Sequence, residues 1–262
     1  MDLKLDGRVV LVTGASRGIG YAIARTLAGE GARVAICSRD GAACDAVARD
    51  LGAAVAGFEA DVCDEGSVAA LVDAVVVRFG RLDAVVNNAG RFGGGPALEL
   101  VDAALLEGAD AKAAGALRVV RHALPHLRSS TQARVVNVSG ISAQRVTPGA
   151  VVTAVANSGM LTLTAYLARE LIGDGVTVNA VIPGYTLTEV WADRAAAVAA
   201  AEGIGQEAAQ QLILERQDMG HSRWGTAQEI ADVVVFLLSA PAEFVNGQSL
   251  RVDGAQFPAV SY

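Results

Sequence analysis

The stretch TGASRGIG at residues 13–20 constrains this chain more than any other feature. It follows RVVLVT at 8–13, an apolar, β-branched run of strand length, and it leads into helical periodicity that stops near Gly29. The glycines at 14, 18 and 20 permit backbone torsions and close approaches that a Cβ would block. A helix that begins here presents free N–H groups to an anion. A strand, a glycine turn and a helix in this order predict a dinucleotide-binding βαβ unit.

Alternating strand and helix patterns continue to the end of the chain. Because short glycine-rich links join them, they predict an α/β fold, a single-domain doubly wound parallel sheet of the Rossmann type spanning residues 1–262. Further strands are predicted at 33–38, 54–60, 82–89, 133–139, 176–183 and 248–253, and further helices around 65–79, 99–128, 150–172 and 227–239.

Residues 188–225 interrupt this alternation of strands and helices with Ala- and Gln-rich helical sequence after a strand. Insertions at the carboxyl ends of strands lie over the ligand crevice of such sheets. We therefore expect a helical substrate lid, to which His221 would contribute a substrate contact; the alternative is a surface decoration.

Composition excludes several classes of partner. The net charge of −7 argues against a nucleic-acid surface, and no apolar run approaches the ~20 residues that span a bilayer, so a soluble cytoplasmic protein is expected. The three cysteines lack metal-ligand spacing and are expected to be buried free thiols. His122 and His126 are four residues apart on a predicted helix, but no third ligand is apparent, so no metal is predicted.

Two arginines bear on the choice of dinucleotide. NAD-selective folds place an acid after the second strand, whereas this strand ends in Ser38 and Arg39, and Arg17 lies inside the glycine turn. Two guanidinium groups suit the 2′-phosphate of NADP, so NADPH is expected to bind better than NADH. The alternative is that both arginines are solvated surface charges.

The ordered motifs together resemble the short-chain dehydrogenase/reductase family over essentially the whole chain. They are TGASRGIG at 13–20, DV at 61–62, NNAG at 87–90, NVSG at 137–140, PGYTLT at 183–188 and GQSLRVDG at 247–254. The resemblance implies a set of cofactor-binding residues: Gly14, Ser16, Arg17, Ile19 and Gly20 in the glycine turn, Arg39, Asp61 and Val62 toward the adenosine, Asn88, Ala89 and Gly90 toward the ribose, and Asn157, Pro183, Gly184 and Thr188 at the nicotinamide end.

The chain departs from that family at all four positions where the family carries its catalytic Asn, Ser, Tyr and Lys. By alignment with the motifs these positions hold Lys112, Gly140, Thr153 and Asn157. A shifted alignment cannot restore the tyrosine, because the chain has none between Tyr21 and Tyr166. A threonine hydroxyl is a far weaker acid than a phenol, so the usual proton donor is missing.

Three residues are candidates for proton delivery or carbonyl contact. Lys112 and Asn157 have exchanged places relative to the family, so Lys112 would present an ammonium to the site while Asn157 keeps a hydrogen bond to the nicotinamide ribose. The alternative is that Lys112 extends to solvent. Tyr185 would offer a phenol or only a wall, and Ser139 would orient a carbonyl or only cap a loop.

The sequence thus predicts an NADPH-dependent ketone or quinone reductase with tyrosine-independent proton delivery, acting on a small molecule such as an aromatic polyketide. A non-redox isomerase, cyclase or dehydratase on the same scaffold, or a non-catalytic partner subunit, stays open. The helices at 99–128 and 150–172 resemble those that form dimer contacts in the family, which implies a homodimer or homotetramer.

Overall fold

The computed structural model describes residues 1–91, 93–219 and 223–257. Its centre is a seven-stranded, all-parallel sheet. The strands are β1 (Val9–Thr13), β2 (Arg33–Ser38), β3 (Val55–Glu59), β4 (Ala84–Asn87), β5 (Arg134–Val138), β6 (Thr177–Pro183) and β9 (Ser249–Val252). Their order across the sheet is β3-β2-β1-β4-β5-β6-β9. The doubly wound fold and all seven predicted strands are confirmed.

Nine α-helices are described. They are α1 (Gly18–Gly29), α2 (Gly41–Leu51), α3 (Glu65–Phe79), α4 (Asp102–Ala109), α5 (Gly115–Leu127), α6 (Val151–Glu170), α7 (Glu189–Glu202), α8 (Gln206–Arg216) and α9 (Ala227–Leu238). Helix α2 was not predicted; Asp40 begins it by accepting from the Ala43 N–H at 2.9 Å.

Alternate residues of the inner strands enter two separate cores. Val10 and Val12 of β1 pack with α1 and α9 on one face of the sheet, whereas Val9 and Leu11 pack with α3 and α5 on the other. Both faces are therefore covered, which explains why β1 is buried at every residue.

Helix α6 is long and apolar enough to cross a membrane by length and composition alone. In the fold it packs against β6 and α4, and seven of its residues are buried. It thus has the position of a core helix.

The segment predicted as a lid forms helices α7 and α8. Before and after them, Thr186–Leu187 (β7) and Gly225–Thr226 (β8) pair as a second, two-stranded parallel sheet. This short sheet, which the sequence did not predict, ties both ends of the insertion together beside the carboxyl end of β6. His221 lies outside the described residues.

Candidate active site

The glycine turn lies at the crevice where the strand order reverses, between β1 and β4. Gly14 has a φ of +63°, and a Cβ there would lie 2.8 Å from the Cα of Ala89 on the neighbouring strand's loop. Helix α1 begins at Gly18, with no side-chain cap and no acid in its first turn. Its first N–H groups are therefore left for an anion such as a pyrophosphate.

Asn88 and Thr13 join the two strand ends beside this turn. The Asn88 side-chain amide donates to the carbonyls of Thr13 and Gly14 at 3.0 and 2.8 Å. The Thr13 hydroxyl accepts from the N–H groups of Asn88 and Ala89 at 3.0 and 3.1 Å. The amide of Asn88, expected at the ribose, thus holds the turn in place.

A groove of about 500 Å³ runs along these strand ends. It is lined by most of the predicted cofactor residues: Gly14, Ser16, Arg17, Ile19, Arg39, Asp61, Val62, Asn88, Ala89, Gly90 and Thr188. The exposed guanidinium groups of Arg17 and Arg39 have no hydrogen-bond or ion-pair partner among the described residues. The groove therefore fits a dinucleotide with an extra phosphate.

Gly20 does not line this groove. A Cβ on this buried residue would overlap the carbonyl of Gly14, so Gly20 lets α1 pack against the turn. Its expected role as a cofactor contact is corrected to a packing role.

A second cavity of about 560 Å³ adjoins the groove beneath the insertion. Both spaces are lined by Ile19, Asn88, Gly90, Arg91, Lys112, Ser139 and Thr188, so they meet along these residues. Asn157, Pro183 and Gly184 line the cavity but not the groove. The expected contacts of these three residues with the nicotinamide end of the cofactor stay predictions.

Lys112 lies where the groove meets the cavity. It belongs to a π-helical turn, Asp110–Ala114, between α4 and α5, and such turns are frequent at functional sites. The side chain is only 9% exposed, and Nζ has no hydrogen-bond or ion-pair partner within the part of the chain that the structure describes. Burial lowers the pKa of Lys112 to about 8. The alternative of a solvent-directed lysine is wrong.

The side chains of Ser139 and Asn157 both form hydrogen bonds within the protein. The Ser139 hydroxyl donates to the Asn157 carbonyl at 3.0 Å, and the Asn157 amide donates to the Ser142 hydroxyl at 3.0 Å. Since its proton is engaged, Ser139 anchors α6 to the end of β5 instead of donating to a substrate carbonyl.

Thr153, predicted at the family's tyrosine position, is hydrogen-bonded to the loop after β4. Its hydroxyl donates to the carbonyl of Gly93 at 3.0 Å and accepts from the N–H of Gly93 at 3.1 Å. Two residues on, the N–H of Gly95 donates to the carbonyl of Gly149 at 2.9 Å. These bonds attach the described part of the loop to the start of α6.

Tyr185 forms an aromatic cluster with the two tryptophans of the insertion. Its ring centroid lies 4.8 Å from that of Trp191 and 5.7 Å from that of Trp224. Burial raises the pKa of Tyr185, and the positive charges of Arg145 and Arg194 oppose that shift. A phenol with a raised pKa is a weaker acid, so the structure favours the wall interpretation over the catalytic one.

The remaining titratable candidates lie apart from the cavity. His122 is paired with Glu65 at 2.7 Å, and no cluster of potential metal ligands occurs among the described residues. Cys37 and Cys44 are buried, but Cys63 is half-buried, which corrects the expectation for that thiol. Burial and the neighbouring Asp61 and Asp110 raise the pKa of Cys63 to about 11, so it is a poor nucleophile.

The family model described as Enoyl-(Acyl carrier protein) reductase matches residues 14–255. The chain belongs to the short-chain dehydrogenase/reductase family. A Streptomyces coelicolor protein with the provisional name ketoacyl reductase is 36% identical over 256 residues, covering 95% of this chain and 97% of its own length.

Two solved structures of short-chain reductases are closely similar. L-sorbose reductase from Gluconobacter frateurii, complexed with NADPH and L-sorbose, superposes with a TM-score of 0.94 at 28% identity over 99% of this chain and 100% of its own. A single-residue variant of actinorhodin polyketide ketoreductase with NADPH superposes with a TM-score of 0.88 at 33% identity, covering 96% of this chain and 98% of its own. The chain is thus a short-chain reductase related to polyketide ketoreductases.

Several cavity residues of this short-chain reductase escaped the sequence analysis. They are Gly93, Trp191, Arg194 and Gln217. The sequence predicted helices in the insertion but not the face that they turn toward the cavity, because neither α7 nor α8 has a marked apolar face in its sequence. The two tryptophans flanking the insertion were the available signal.

Proposed function

We propose that this protein is an NADPH-dependent reductase of ketones or quinones in which Lys112 replaces tyrosine as the proton donor. The observation that carries the proposal is the place of Lys112: a buried, unpartnered amine at the junction between the dinucleotide groove and the cavity, judged over the residues that the structure describes. The polyketide ketoreductase relative extends the proposal to aromatic polyketide-like substrates.

Separate groups of residues bind the cofactor in the groove and the substrate in the cavity. The uncapped start of α1 binds the pyrophosphate, and Arg17 and Arg39 bind the 2′-phosphate. When bound, NADPH supplies the hydride that the carbonyl carbon receives. The cavity walls hold the reacting carbonyl beside Lys112.

Lys112 provides the proton that balances this hydride. With a pKa of about 8, the amine is mostly protonated at neutral pH and is still acidic enough to release its proton. The ammonium attracts the negative charge that develops on the carbonyl oxygen and then transfers one proton to it, leaving an alcohol and a neutral amine. Water at the open side of the cavity returns the proton to the amine.

A titration with NADPH and with NADH, followed by cofactor fluorescence, tests the binding half of the proposal. We expect NADPH to bind more tightly. Oxidation of NADPH on addition of quinones or conjugated ketones then tests the chemistry, and Lys112→Met should lower kcat while leaving the affinity for NADPH intact. A product with the redox state of the substrate would instead identify the non-redox alternative, and failure to bind either dinucleotide would refute the proposal.

Cytoplasmic location and assembly as a homodimer or homotetramer are part of the same proposal. Its support is the family's helical dimer contacts together with exposed apolar side chains on the corresponding helices. Val101 and Leu106 near α4, and Val155 and Tyr166 on α6, are all exposed. Sedimentation analysis of the purified protein measures its oligomeric state, and a monomer would overturn the proposed assembly.

A further inference from the structure

The charges around the cavity are unusual for this protein. The chain carries a net charge of −7, yet no aspartate or glutamate is found among the described residues that line the cavity. The charged side chains that do line it are all cationic: Arg91, Lys112 and Arg194. Arg91 is neutralised by an ion pair with Glu107 at 2.8 Å. Because no described carboxylate of the lining offsets the charge of Lys112, the interior of the cavity is electropositive.

A further guanidinium lies behind the cavity wall. Arg145 is half-buried, and one of its terminal nitrogens donates to the carbonyl of the cavity residue Gln217. Its other terminal nitrogen, Nη1, is fully buried and has no hydrogen-bond partner among the described residues. No carboxylate pairs with Arg145 in that same part of the chain. Because no described carboxylate offsets it, the charge of Arg145 adds to the positive potential behind the cavity wall.

Arg145 and Arg194 converge on Tyr185. The positive charges of both act on its hydroxyl, and the guanidinium of Arg194 lies 4.7 Å from the ring centroid of Trp191. Tyr185, Trp191 and Arg194 line the cavity, so an apolar surface and a cation are presented together beneath the insertion, with Arg145 behind them. This combination suits a molecule that joins an apolar body to an anionic group.

We infer that the substrate carries a carboxylate, which binds beneath the lid at Arg194, in the positive field of Arg145, while its carbonyl faces Lys112. The inference rests on the proposed function for the identity of the reacting group, but the anion site itself is a property of the lid. Arg194 at the cavity surface supplies the main contact, and the field of Arg145 reinforces it from behind. The apolar part of the substrate packs on Tyr185 and Trp191.

The two tryptophans of the chain, Trp191 and Trp224, both lie in this cluster, so intrinsic fluorescence reports on the lid alone. The probes are adamantane-1-carboxylate and adamantane-1-carboxamide, which have the same body and do not absorb at the wavelengths of tryptophan emission. We expect the carboxylate to bind about tenfold more tightly at low ionic strength, as a charge-assisted hydrogen bond implies. The preference should fall as salt is added.

Substitution of the arginines assigns the preference to the lid. Arg194→Gln should reduce carboxylate affinity about tenfold and leave carboxamide affinity unchanged. Arg49→Gln, on the exposed side of α2, is the matched control and should change neither. If Arg145→Gln does not fold, Arg194→Gln still provides the test, because Arg194 is exposed. Equal binding of the two probes, no binding of the carboxylate, or a preference that persists in Arg194→Gln would overturn the inference.

Turnover separates this inference from the proposed function. With NADPH, anthraquinone-2-carboxylate should have a lower KM than anthraquinone-2-carboxamide in the wild type and an equal KM in Arg194→Gln. If neither quinone is reduced but the carboxylate probe keeps its preference in fluorescence, the reductase proposal fails and the anion site stands. If both are reduced with equal KM, the reductase stands and the anion site fails.

Discussion

Gly140 and Asn157 are sterically coupled. A Cβ added to Gly140 would lie 2.7 Å from the side-chain nitrogen of Asn157, which is 5% exposed and donates to Ser142 at 3.0 Å. The residues predicted at the family's serine and lysine positions therefore fit each other as a pair, and a side chain at Gly140 requires the Asn157 amide to move.

Gly140→Ser should consequently lower the free energy of unfolding by about 1 kcal/mol, the lower end of overpacking costs, because only the Asn157 amide has to move. Gly140→Ser combined with Asn157→Ala should recover part of that loss, because it removes the blocking amide. Gly29→Ser is the control, since nothing lies within 4 Å of a Cβ at that position. Urea denaturation measures all three; a Gly140→Ser protein as stable as Gly29→Ser would contradict the coupling.

Lys112 should reduce the stability of the fold at neutral pH. Its pKa is about 8 in the folded chain and about 10.5 when unfolded, so between these values the unfolded chain holds a proton that the folded chain has released. The free energy of unfolding should therefore rise with pH from about 8 to 10.5. Lys112→Met removes the buried charge and should stabilise the protein at pH 7 by about 3 kcal/mol.

The chain offers a matched control for this prediction, because Lys4 is its only other lysine and is exposed. Lys4→Met should leave the pH dependence between 8 and 10.5 intact, whereas Lys112→Met should flatten it. NMR of protein labelled at the lysine Cε would give the pKa directly from two resonances, and Lys4→Met assigns them. An ordinary pKa at Lys112 would contradict the prediction.

The sequence predicted the sheet because a β-branched run that stops at glycine forms a strand in a parallel α/β fold. Val9–Thr13 and Arg33–Ser38 lie within or match their predicted ranges. The glycine turn followed from the same logic, since Gly14 comes directly after a buried strand, whereas Asp61 and most other groove residues were expected from the family resemblance.

The cavity could be predicted only in part, because it depends on contacts between distant segments. Periodicity placed Lys112 on a helix but gave no sign of the π turn that directs it inward. No local pattern links Thr153 to Gly93, which lies sixty residues away in the chain. The helical insertion was located because it breaks the alternation of strands and helices, and its role as a lid stays a prediction; the convergence of Arg145 and Arg194 on Tyr185 required the folded chain.

Thr153 should act as a clamp on the loop after β4 and not as an acid. Thr153→Val has the same shape but loses both hydroxyl bonds to Gly93, and it should lower the free energy of unfolding by about 1–2 kcal/mol. Thr153→Ser keeps the hydroxyl and should lose less. Faster amide hydrogen exchange around residues 93–95 in the valine variant would show the released loop; unchanged exchange would count against the clamp.

Arg17 and Arg39 should set the preference for NADPH. Each guanidinium lines the groove without a partner among the described residues, so each is available to the 2′-phosphate. Arg17→Gln and Arg39→Gln should each weaken NADPH binding about tenfold while NADH binding stays unchanged, because only NADPH carries that phosphate. Fluorescence titration with both cofactors is the measurement, with Arg49→Gln as the control. Equal losses for NADPH and NADH would mean that the arginines support the groove generally.

The pH dependence of turnover should separate a proton donor at Lys112 from a fixed positive charge. Because the acid form of Lys112 is required, kcat/KM for carbonyl reduction should fall as the pH rises through about 8. Lys112→Met should lower kcat by roughly 100-fold or more and abolish this limb of the profile. Lys112→Arg keeps the charge but holds its proton at every accessible pH, so it should restore electrostatic attraction without proton transfer. If the arginine variant matches the wild-type rate and also removes the limb near pH 8, the side chain works through its charge, and the proton reaches the carbonyl from water.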